Sequence, residues 1–133
     1  MAMTIGGRSV ATFAVGGTMQ AVNQSTWQTV AGTVMSVIGA PAGVTPGMNF
    51  NAFLDVISDG TNNYVRIVYD DVQINNGTSV VTVASALAAA IVAEPAYTNI
   101  KSALSGFSSL ASGGISFSSV SFEPWGTGYV PGP

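Results

Sequence analysis

The chain contains no histidine and no cysteine, which removes the commonest general base and the thiol nucleophile. Lys101 is the single lysine, and beside Ile100 it reads as the solvated edge of a helix rather than an amine catalyst. Serines are abundant, but no G-x-S-x-G elbow presents one as a nucleophile. Glycoside hydrolysis would need two carboxyl groups facing each other across a sugar bond. Asp70 and Asp71 are adjacent, so on a strand they point to opposite faces, while Asp55 and Asp59 flank a turn. Turn formation and solvation account for all four. No catalytic residue is expected.

Hard oxygen ligands are the next candidates. Asp59, Asn62, Asn63, Asp70, Asp71, Asn75 and Asn76 cluster around two neighbouring turns, the ligand type calcium prefers. The D-G-T-N-N stretch lacks the alternating ligand positions and closing Glu of an EF-hand, and Asn and Asp are ordinary turn formers. No metal and no cofactor is expected. A calcium-dependent or carbohydrate-binding adhesion module, with Trp27 and Trp125 as stacking platforms, is carried as an alternative. Interface anchoring is the commoner use of such rings. Asn23-Gln24-Ser25 and Asn76-Gly77-Thr78 match the glycosylation acceptor pattern. The stretch Met1 to Val15 lacks the basic start and apolar block of a secretory signal, so both matches read as accidental.

The balance of residue types says more than these motifs. Of 133 residues only 7% are charged, while 47% are apolar, and the net charge is −3. A soluble monomer of this size usually carries roughly 25–35% charged residues on its surface. Scarce charge removes the repulsion that keeps molecules apart, so the chain reads as a subunit packed against neighbours. Arg8, Arg66 and Lys101 are scattered, whereas phosphate binding needs clustered cations; nucleic acid is not an expected partner. The apolar stretch Val80 to Ala93 is interrupted by Thr82 and Ser85 and is shorter than the ~20 residues of a membrane span. No membrane partner is expected either.

One domain over residues 1–133 is expected, with a possible N-terminal arm over 1–15 and a C-terminal docking tail over 123–133. Ser9 to Val15 is β-capable and ends at Gly16-Gly17. Thr18 to Asn23 and Trp27 to Ile38 read as further β structure, with Gly32 marking a bulge. Phe53 to Ser58 and Tyr64 to Tyr69 form a hairpin around Asp59-Gly60-Thr61-Asn62-Asn63. Both of its faces are largely apolar, which suits a place between layers or at an interface. Val83, Leu87, Ala90 and Ile91 have helical spacing, with Ser79 or Thr82 as N-cap and Pro95 as terminator. Tyr97, Ile100, Leu104 and Phe107 predict a second helix from Ala96, with Gly106 near its end. Ile115 to Phe122 alternates with a phase slip, so a bulge is expected near Ser118-Ser119. The fold class is α+β: an antiparallel sheet or sandwich, one or two helices at about 80–106 packed on it, and extended terminal arms.

The stretch from Phe53 to Ile91 resembles a recurring unit of phage virion and flagellar-hook-associated proteins. There, a hairpin with a D-G turn, here Asp59-Gly60, leads into an Ala-rich helix such as Val83 to Ile91. The whole chain is similar in character to phage capsid decoration (cement) proteins: short, cysteine-free and rich in Gly, Ser, Thr and Val. That resemblance implies trimeric or higher assembly on a major capsid lattice, and a place in the virion after synthesis in the host cytoplasm. Neither group supplies a motif that assigns a residue role. The expected function is therefore a non-enzymatic, self-assembling structural subunit, with itself and a major capsid or other virion protein as partners. A tail-tube, head–tail connector or extracellular filament subunit is the structural alternative, and convergence of Asp55, Asp59, Asp70 and Asp71 on one face would favour a tube. The interface residues expected are Phe13, Tyr64, Ile67, Tyr69, Trp125 and Tyr129.

Overall fold

Four long antiparallel strands form the frame of the molecule, in the order β2–β3–β1–β4. The computed structural model describes residues 3–26, 28–29, 32, 44–74, 78–110, 114–124 and 130–131. Its strands are β1 (Met3–Val15), β2 (Val44–Ser58), β3 (Asn63–Ile74) and β4 (Ile115–Pro124). A short strand, β5 (Val130–Pro131), pairs with Met3 and Thr4. Helices α1 (Val80–Val92) and α2 (Ala96–Leu104) follow β3, and a 3₁₀ turn (Ser105–Phe107) extends α2. The α+β class is as the sequence predicts.

Residues 3–15 are not an arm. β1 is an inner strand of the sheet, paired with β3 over residues 5–15 on one side and with β4 over residues 7–15 on the other. The reason lies in its alternation: Ala11, Phe13 and Val15 all point into the core at 5% exposure or less. An arm would leave those side chains in water. Gly7 adds a close approach, since a Cβ there would collide with the Glu123 carbonyl and the Phe122 ring. The expected C-terminal tail is corrected in part: Glu123 and Pro124 complete β4, and Val130 and Pro131 pair with β1 of the same chain.

The helices cover one face of the sheet. Ser79 caps α1 from an extended backbone, its side chain accepting the Thr82 N–H at 3.1 Å; this satisfies one of the free amides of the first turn. Val83, Leu87 and Ile91, one turn apart, form the buried stripe, and Ile100 and Leu104 continue it on α2. Beneath them lie Val65, Ile67, Tyr69, Val72 and Ile74 of β3.

The phase slip in β4 is a one-residue bulge. Thr12 faces Ser119 while Phe13 faces Phe117, leaving Ser118 unmatched. The extra residue lets both Ile115–Phe117 and Val120–Phe122 turn toward the same core. Phe13 and Phe117 then meet edge-to-face, centroids 5.7 Å apart, and the Phe117 N–H donates to the Tyr97 hydroxyl at 3.3 Å.

The described residues between 18 and 32 depart from the β expectation. Met19 makes an isolated bridge to Ser108, and residues 24–26, 28–29 and 32 are helical. Asn23 starts this helix as a side-chain cap, Oδ1 accepting the Thr26 N–H at 2.9 Å. The Thr and Val content favours strands, but a local cap outweighs weak β propensity. Trp27, Val30, Ala31 and residues 33–38 lie outside the described residues.

Candidate functional site

The helix-free face of the sheet gathers the molecule's sparse charge. In an antiparallel pair, directly opposed residues share a face, so the register reads out the rows. Asp55 of β2 opposes Arg66 of β3, which opposes Thr12 of β1 and then Ser119 of β4. Phe53, Val68, Val10 and Ser121 form the adjacent row. Beyond it, Arg8 Nε lies 3.5 Å from Asp70 Oδ1, and Arg8 opposes Glu123. Arg66 bonds to the Asp55 carboxylate. The Arg8 guanidinium also lies 6.0 Å from the Phe53 ring centroid, packing its stem along the apolar row. Val10 and Val68 between the two ion pairs are buried.

Two of the three cations are thus matched by acids on their own sheet face. The third, Lys101, sits 4.4 Å from the centroid of the Tyr97 ring, within cation–π range. Ion pairs this exposed contribute at most about 1 kcal/mol each. Their larger effect is to leave the surface without a free cationic patch.

The four acids do not form one surface. Asp55 and Asp70 share the helix-free face, each beside an arginine. Asp59 lies at the hairpin turn, and Asp71 is buried at a break in the β1–β3 register, with φ 55°. An acid-lined tube bore finds no support in this arrangement. Asp59 also spends its carboxylate locally: Oδ1 accepts the Thr61 and Asn62 N–H groups at 2.9 and 2.6 Å. Those bonds hold its carboxyl below the usual carboxylate value. Among the described residues no three acids come together as a metal cluster.

Of the expected interface residues, Phe13, Ile67 and Tyr69 are core. All three are at 1% exposure or less, because α1 and α2 cover the face that β3 and β1 present to them. Hydrophobic alternation marks a buried face without saying what buries it. Burial also raises the pKa of Tyr69, whose hydroxyl has no partner among the described residues. Tyr64 is half-buried on the opposite face, lining a cleft of about 370 Å³ with Thr61, Asn62, Asn63 and Leu110. Trp125 and Tyr129 lie outside the described residues. Among the described residues the exposed large apolar side chains are Val56, Ile57, Val81, Val92 and Leu110, none of them singled out by the sequence. For Val81 and Val92 the clue available was the complete absence of charge from Val80–Val92, where Thr82 and Ser85 are the exposed polar residues.

No protein-family model, curated protein or solved structure matches the chain.

Proposed function

We propose that this chain is a non-enzymatic structural assembly subunit of a phage-like virion, a decoration protein that strengthens the shell through contacts between subunits. The observation that carries the reading is the character of the described surface. Val81 is 74% exposed and Leu110 60%, Val56, Ile57 and Val92 are exposed too, and two of the three cations already have acidic partners. Such a surface is stabilised by being covered. Each Å² of apolar area removed from water contributes roughly 25 cal/mol before the costs of association. Repetition over a lattice turns weak contacts into lasting ones. The partners are further copies of the chain and a major capsid or other virion protein, and the site of action is the virion.

Sedimentation and negative-stain imaging of the purified chain, alone and mixed with undecorated shells, test this. The expected result is a discrete oligomer that co-sediments with shells. Stacked rings or tubes from the chain alone would move it to the tail-tube class. A stable monomer at high concentration with no affinity for shells would refute the assembly reading.

A further inference from the structure

The two outer edges of the sheet are unlike each other. The edge formed by β4 is guarded: it carries the bulge at Ser118 and an exposed acid, Glu123, and its side chains Ser116, Ser119 and Ser121 are polar. Bulges and edge charges are the usual devices against strand addition. The edge formed by β2 has no bulge over residues 51–58, and its one acid, Asp55, is tied to Arg66 of β3. That segment pairs with β3 without a register break and contains no proline and no lysine or arginine. Among the described residues no strand lies beyond it. Near its end it exposes Val56 at 39% and Ile57 at 41%, one on each face.

The main chain of this edge is also set. Asp59 N–H donates to the Asn62 carbonyl at 3.1 Å, and bonded pairs alternate from there along an antiparallel ladder. Ile57, Asp55 and Phe53 therefore exchange their backbone bonds with β3. Ser58, Val56 and Leu54 turn their N–H and C=O groups to the open side.

We propose that two copies of this chain pair through β2, antiparallel and centred on Val56, to make one sheet continuous across both. A second copy is the occupant because, among the described residues, β2 is the edge with an unbroken run, over 51–58. Joining β2 to a neighbour's β4 would need the guarded edge, whereas a two-fold contact uses the same patch twice and closes. Charge excludes two registers, and the exposed Val56 and Ile57 place the centre at their end of the strand. Asp55 is the one charged residue in β2, and under two-fold symmetry each residue must face one on the same side of the sheet. Centring on Asp55 sets two carboxylates directly opposite. Centring on Ile57 sets Asp55 against the partner's Asp59. Centring on Val56 avoids both, placing Val56 against the partner's Val56 and Asp55 against the partner's Ile57. In that register Leu54, Val56 and Ser58 direct their free backbone groups at each other. The pairing stands independently of any virion.

The cysteine-free chain makes the test clean. Single-cysteine variants Val56→Cys, Ile57→Cys and Ser121→Cys are oxidised and run without reductant. Opposed residues have Cα atoms about 5.5 Å apart, inside the roughly 4.4–6.8 Å window of a disulfide. Covalent dimer is expected at Val56 and not at Ile57 or Ser121. Wild type is expected to sediment as an even-numbered oligomer, and Val56→Lys to lose the dimer while keeping its circular dichroism spectrum. Absence of covalent dimer at Val56, equal yields at all three positions, or an unchanged oligomer in Val56→Lys would each overturn the pairing. If the pairing fails while the protein still binds shells, the assembly function stands.

Discussion

Replacing Phe13 by alanine separates an inner strand from a surface arm. Phe13 is 0% exposed, faces Val65 on β3 and Phe117 on β4, and meets the Phe117 ring edge-to-face. Truncating a buried Phe to Ala costs about 3–5 kcal/mol through lost transfer energy and the cavity left behind. Part of that is the aromatic pair, worth about 0.5–1.5 kcal/mol beyond area burial. Against a total stability of about 5–15 kcal/mol for a domain, the loss is large. Urea unfolding followed by circular dichroism reads it as a lower midpoint at unchanged slope. An arm residue would change stability by less than about 0.5 kcal/mol. A shift that small for Phe13→Ala would refute the placement of β1 inside the sheet.

Tyr69→Phe is expected to leave stability unchanged or raise it, because it removes a buried hydroxyl with no partner among the described residues; a clear drop in melting temperature would show a partner exists. Ser79→Ala should cost about 1 kcal/mol in urea melts by removing the cap of α1. Asp59→Ala should be less stable than wild type at neutral pH, with the gap closing on acidification. The sign follows from its lowered pKa: the turn's contribution is complete above the ordinary carboxylate value and lost as pH falls through the depressed one. Melting curves of both proteins across an acid series check this. A melting temperature unaltered by calcium or chelator is expected, since a ligand specific to the native state would raise it.

The two helices, the hairpin and the β4 bulge were legible because each has a local cause. Ser79 caps, Val83–Leu87–Ile91 repeat at helical spacing, Asp59 and Gly60 make the turn, and the slip between Phe117 and Val120 allows only an extra residue. What the sequence hid was relational. Nothing in Ser9 to Val15 tells that two partners flank it, because both lie far along the chain. Ile67 and Tyr69 look like Val56 and Ile57 in composition, and only the helices overhead separate core from surface. The exposed edge of β2 was illegible for the same reason, being defined by which strand is absent beside it.

The inner position of β1 bears on how the molecule is made. Met3–Val15 leaves the ribosome before both of its neighbours, which begin only at residues 63 and 115. Sheet closure must wait until β4 has been made, and contacts so distant in sequence slow maturation. Until then a sticky segment is left bare, open to capture by chaperones or by another nascent chain.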